Sequence, residues 1–217
     1  MSHTNTALRV AGTWLAVASF LLAAAIVFHG PLASDLSDQM KRIAGGAVGW
    51  TVIHWVSAAS LSLYALTGLV VLTAGSRLTE GWWTMTAWAV LTVSALWTMT
   101  TAVAEATVVT RAAVSGANEM FEAWWAFAEG KANGIAFFAL AVAVISGNEA
   151  RSSARAVPAW SAWIAMASGV ASFAGWALGR WFGVDLGNLL WVASSVLMSV
   201  CTLWFGIALM RSRANVI

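Results

Sequence analysis

Six stretches of this chain run for about 20 residues or more with few ionised side chains, the length an α-helix needs to cross the hydrocarbon core of a bilayer. In lipid every backbone N–H and C=O must be satisfied within the protein, so apolar runs of this length are expected as helices. Only 9% of the residues are charged and 60% are hydrophobic. A soluble domain carries about 25% charged residues, and a water-facing surface cannot be built from so few. The expected fold is all-α: an integral membrane bundle of about six transmembrane helices, a single domain over 1–217.

Punctuation sets the boundaries. The spans are expected at about 9–28, 45–73, 82–110, 119–145, 158–179 and 188–210. The first is longer than the apolar region of a secretory signal, about 7–15 residues, and is read as a retained helix. His29-Gly30-Pro31 ends it, because Pro31 cannot continue a helix without losing a hydrogen bond. The following stretch, 32–44, is the most polar in the chain, with Asp35, Asp38, Lys41 and Arg42. Leu32, Leu36, Met40 and Ile43 recur there at helical spacing, which predicts a short interfacial helix on the membrane surface. Gly130 with Gly134, and Gly175 with Gly179 and Gly183, repeat every four residues and would let helix backbones approach closely.

The short connections carry the orientation signal. Arg9, Arg77, Arg151, Arg155, Arg211 and Arg213 fall on one side, and Lys41, Arg42, Arg111 and Arg180 on the other. The positive-inside rule then puts both termini in the cytoplasm, with a prokaryotic plasma membrane as the expected location. Of 15 tryptophans, Trp50, Trp82, Trp83, Trp124, Trp125, Trp160, Trp181 and Trp191 fall near span ends, where indole favours the interface. Trp88, Trp97 and Trp204 fall deeper and read as packing residues. Cys201 is the chain's single cysteine, so no intrachain disulfide forms. A net charge of +2 gives no reason to expect a nucleic-acid partner. The bilayer is the expected partner, with a membrane-protein partner or a second copy as further possibilities.

Ionisable residues inside the apolar runs carry most of the functional information, because a charge at the bilayer centre costs about 2.5 kcal/mol or more. His54 lies in the second span, Glu105 near the end of the third, and Glu119, Glu122 and Glu129 early in the fourth, followed by Lys131 and Asn133. In the expected topology all fall in the outer half of the membrane, with His29 at the same surface. Glu122, Glu129 and Asn133 share one helical face, while Lys131 points about 200° from Glu129. Three readings compete: a structural polar network, an outward-facing pocket for an ion, proton or small polar ligand, and a metal site of His54 with Glu105, Glu122 or Glu129. Mixed imidazole and carboxylate ligands suit zinc, iron or manganese. The chain has no Gly-x-Ser-x-Gly elbow, phosphate-binding loop or dinucleotide fingerprint, so no catalytic residue is assigned.

Two local patterns resemble known families. Ile53-His54-Trp55 followed by Leu66-Thr67-Gly68-Leu69 resembles a haem-ligating helix of bacterial cytochrome b subunits of the b561 and hydrogenase type. That resemblance implies haem b with His54 as an axial ligand and a methionine such as Met99 or Met198 as a conceivable partner. No histidine follows His54, which departs from the family's pattern. The stretch from Gly134 to Arg211 resembles an uncharacterised family of prokaryotic six-helix membrane proteins of unknown function. That resemblance implies the architecture and no activity. The expected role is a multi-pass membrane protein that binds a small polar ligand, ion or proton through Glu105, Glu129, His54, Glu122, Lys131 and Asn133, or that serves as a subunit of a membrane complex. A haem b electron-transfer subunit and a metal-dependent membrane enzyme are the alternatives.

Overall fold

The computed structural model describes residues 3–30, 32–33 and 35–211. Pro31, assigned the end of the first helix, and Arg213, counted in the charge balance, lie outside them. The described residues are almost entirely helical and contain no strand. The helices are α1 (His3–His29), α2 (Leu36–Gly45), α3 (Ala47–Thr73), α4 (Trp82–Ala104), α5 (Thr110–Ser115), α6 (Asn118–Ala132), α7 (Gly134–Arg151), α8 (Ala159–Trp176) and α9 (Asp185–Arg211). A π-helical turn, Glu105–Val109, joins α4 to α5, and a second, Ala177–Trp181, extends α8.

Six of the resulting helical units are long and apolar enough to cross a membrane: Thr4–His29, Ala47–Thr73, Trp82–Ser115, Asn118–Arg151, Ala159–Trp181 and Asp185–Arg211. The chain is a multi-pass integral membrane protein. The spans form a closed ring, α1 against α3, α3 against α4, α4 against α7, α7 against α8, α8 against α9, and α9 back against α1. Each buries one stripe and turns the other to lipid. On α1 the buried stripe is Ala11, Leu15, Ala18, Leu22 and Ala25, with Val17, Phe20 and Val27 outside. Its spacing, alternately four and three, keeps one face on the ring interior.

In lipid, small side chains and hydrogen bonds drive helix association. A Cβ added to Gly12 would stand 2.7 Å from Gly206 O, so α1 and α9 meet backbone to backbone. The predicted glycine ridges divide. Gly134 closes on α4, and Gly175 and Gly179 close on α9, whereas nothing lies within 4 Å of a Cβ at Gly130 or Gly183. Gly183 instead takes φ 69°, turning the chain from the second π turn into α9. The ring axis is plugged by Tyr64, whose ring meets Phe138 edge-on at 4.7 Å. The Tyr64 hydroxyl lies 2.8 Å from Ser19 Oγ and 3.2 Å from Thr202 Oγ1, tying α3 to α1 and α9.

The two ends of the ring differ. At the end holding both chain termini, Arg77 donates two hydrogen bonds to the buried Glu149, at 2.7 and 3.2 Å, and the amide of Ala156 donates to the same carboxylate. At the other end the third and fourth spans overshoot. Each is 34 residues, about 51 Å of helix against a hydrocarbon core of about 30 Å. The excess, α5 and α6 with their π turn, meets α2 in a second small core of Ile43, Trp50, Val109, Ala112, Ala113, Phe121 and Trp125. Leu32, Leu36 and Met40 pack onto that core. The stretch expected to form a short helix does so as α2, and its apolar stripe packs on protein.

Candidate functional site

At this end the ring of spans lines an open-sided cavity of about 1140 Å³. All six spans contribute to its wall. His29 comes from the end of α1, His54 and Ser57 from the start of α3, and Glu105 from the π turn after α4. Glu129 and Asn133 come from α6 and its junction with α7, Trp176, Arg180 and Trp181 from α8 and its π turn, and Asn188 and Trp191 from α9. Most of the wall is apolar, with polar groups gathered at two places.

The first place is a histidine–carboxylate cluster. His54 is 4% exposed. Its Nδ1 lies 2.7 Å from the carbonyl of Trp50, one turn earlier. A carbonyl only accepts, so Nδ1 carries the proton and Nε2 points the other way. Nε2 stands 2.7 Å from Glu105 Oε2. His29 repeats the device, with Nδ1 2.9 Å from the carbonyl of Gly30. The two imidazole centroids are 5.1 Å apart, and the ring of Trp50 touches both, at 4.8 and 4.5 Å. One nitrogen from each histidine and one oxygen of Glu105 lie within 4.8 Å of one another.

The π turn accounts for the position of Glu105. A π turn inserts one extra residue into a helix and shifts the register of everything after it. Here Thr110 Oγ1 donates to the carbonyl of Glu105 at 2.6 Å, bonding five residues back instead of four. The widened turn begins on the one acidic residue of the third span, whose side chain is 12% exposed.

The second place is the break in the fourth span. Asn133 separates α6 from α7, and its Oδ1 accepts from Trp176 Nε1 at 3.0 Å and Trp181 Nε1 at 2.8 Å. Its amide nitrogen donates to the carbonyl of Gly130 at 3.2 Å. Arg180 lies over the ring of Trp176 at 5.6 Å and 3.9 Å from Glu129. Glu129 is half exposed, so this ion pair is long and weak.

Of the six residues singled out in the sequence, His54, Glu105, Glu129 and Asn133 line the cavity, and His54 and Glu105 are in contact. Glu122 is exposed on α6 and Lys131 rests over Phe127 at 5.5 Å; neither is among the cavity-lining residues. Within the metal set considered from the sequence, the carboxylate beside His54 is Glu105, while Glu122 and Glu129 stand outside the cluster. Sequence reasoning missed His29 as a site residue, placing it in the loop beyond the first span. It also missed Arg180 and Trp176. Their one sequence signal is shared with His54 and Glu105: in an up-and-down bundle, the end of an odd span and the start of an even one fall at the same end.

The haem-like segment lies on α3. His54 Nε2, the atom that would ligate haem iron, faces the Glu105 carboxylate. Met99 Sδ accepts a hydrogen bond from Ser62, and neither Met99 nor Met198 lines the cavity. No family model, no curated protein and no solved structure matches this chain.

Proposed function

We propose that this chain is a ligand-binding protein of a prokaryotic plasma membrane, whose cavity opens toward the outer face and takes a small molecule with a polar group on an apolar body. One observation carries the reading. A single cavity at one end of the bundle gathers His54, Glu105, Glu129 and Asn133, from three different spans, onto a wall that is mostly aliphatic and tryptophan side chains. Ligand sites have this composition, apolar surface with a few convergent polar groups, and volumes of about 300–1000 Å³. Ionisable residues are costly in lipid, and facing a shared cavity is the usual way a membrane protein retains them. The indoles of Trp176 and Trp181 already share Asn133 Oδ1, which pre-organises that wall.

Native mass spectrometry of the protein released from lipid nanodiscs tests the reading. Wild type should carry an adduct of constant mass. Ser57→Trp, which plants an indole in the cavity, should abolish it while the protein keeps its thermal stability. A wild-type protein free of adducts, or an adduct unaffected by Ser57→Trp, would overturn it.

A further inference from the structure

We propose that His29, His54 and Glu105 form a binding site for one divalent transition-metal ion of the zinc class, with its remaining coordination position open to the cavity. The proposal stands on ligand geometry and holds whether or not an organic molecule occupies the space beyond. Both imidazoles give their Nδ1 proton to a backbone carbonyl, Trp50 for His54 and Gly30 for His29. That is the support metal-ligating histidines ordinarily have, since it fixes the ring and leaves Nε2 with its lone pair free. Between the His54 Nε2 lone pair and the Glu105 carboxylate there is then no proton to share. Yet the two atoms stand 2.7 Å apart, and Glu105 Oε2 is buried without an aligned hydrogen bond. Two electron-rich atoms in contact require either a proton between them, carried by His54 or by Glu105, or a metal ion.

Three features favour the metal. Three ligand atoms from three helices, those of the two facing imidazoles and Glu105, lie within 4.8 Å of one another. Zinc bonds of about 2.0–2.1 Å hold neighbouring tetrahedral ligands about 3.3 Å apart, so the widest pair needs to close by up to about 1.5 Å and the His54–Glu105 pair, at 2.7 Å, to open by about 0.6 Å. Two histidines and one glutamate form an established three-ligand set for an open zinc site, and the same set suits ferrous iron. Trp50 Nε1 is buried without a partner on a ring packed against both imidazoles, a spare donor for a water or ligand atom on the metal.

The test is zinc titration of chelator-stripped full-length protein in nanodiscs, with metal content read by elemental analysis. Wild type should bind roughly one zinc per chain and unfold at a higher temperature when loaded, as any ligand of the folded state requires. His54→Gln and Glu105→Gln should each weaken zinc binding by more than about a hundredfold, beyond the 10–100-fold range typical of a lost supporting residue. Glu122→Gln, outside the cluster, should bind as wild type. If the two buried substitutions prevent folding, His29→Gln, nearer the cavity rim, carries the same test. Folded wild type that takes up no stoichiometric zinc would overturn the proposal and leave a histidine–carboxyl pair sharing a proton; so would variants that bind zinc as wild type does. An adduct lost in Ser57→Trp would still support the ligand reading in either case.

Discussion

At the scale of single residues, lipid changes what a polar atom is worth. A histidine or serine in water can turn to solvent, but inside a bundle each donor and acceptor has to find a protein partner or a cavity. His54, Glu105, Glu129 and Asn133 were legible in the sequence for that reason: ionisable or amide groups within apolar runs are expensive enough to signal a shared interior. His29 was not, because a histidine beside Gly30 and Pro31 reads equally well as a loop residue. Tyr64 was also silent, as the one tyrosine among many aromatics. Its hydroxyl joins Ser19 and Thr202 at the ring axis. Hydrogen bonds between membrane helices average about 0.6 kcal/mol each, so Tyr64→Phe should destabilise the protein by about 1 kcal/mol. Unfolding in a denaturing detergent titration measures it. Because the substitution lies on the plugged axis, cavity binding should not change.

At the scale of elements, the sequence showed six spans and hid their irregularities. The boundaries of α3 and α9 were close, since Gly75 and the terminal arginines punctuate them. The third and fourth spans were drawn too short. Thr110–Ser115 continues the third span where Arg111 suggested a loop, and Gly147–Arg151 continues α7 where polar residues suggested another. Both extensions are held by tertiary contacts that periodicity cannot report. Neither π turn leaves a compositional mark, yet each places a cavity-facing charged residue, Glu105 or Arg180. The Arg77–Glu149 pair was likewise hidden, because Arg77 looked like a solvated loop charge and Glu149 lay beyond the expected end of its span. Glu149 is 3% exposed, and breaking a buried pair from one side typically costs about 3–5 kcal/mol. Arg77→Met should therefore destabilise strongly, while Arg77→Met combined with Glu149→Leu should recover much of the loss. Melting temperatures of the two single variants and the double variant decide it. A double variant no better than Arg77→Met would show that the carboxylate's bond to Ala156, rather than the ion pair, holds that end.

At the scale of the whole molecule, a closed ring of spans leaves two ends with different tasks. One is latched by Arg77 and Glu149, and the other carries the small core of α2, α5 and α6, of which α6 lines the cavity. Which compartment the cavity serves depends on insertion, and the only guide is the loop charge balance, six basic residues against four. Basic residues in short connections resist translocation, so the end carrying Arg77, Arg151 and Arg155 should stay in the cytoplasm and the His29–Glu105 end should face out. Ser115, exposed at the turn between α5 and α6, reports on the cavity end, and Ser153, exposed between α7 and α8, reports on the latched end. Cys201 is the chain's one cysteine and lies within α9, so Cys201→Ala gives a clean background. In intact cells a membrane-impermeant maleimide should label Ser115→Cys and spare Ser153→Cys until the cells are opened. The reverse pattern would turn the cavity toward the cytoplasm, and the ligand would then have to be sought among intracellular molecules. Labelling of both sites in intact cells would mean that the chain inserts in two orientations, which a charge difference this small is poorly able to prevent.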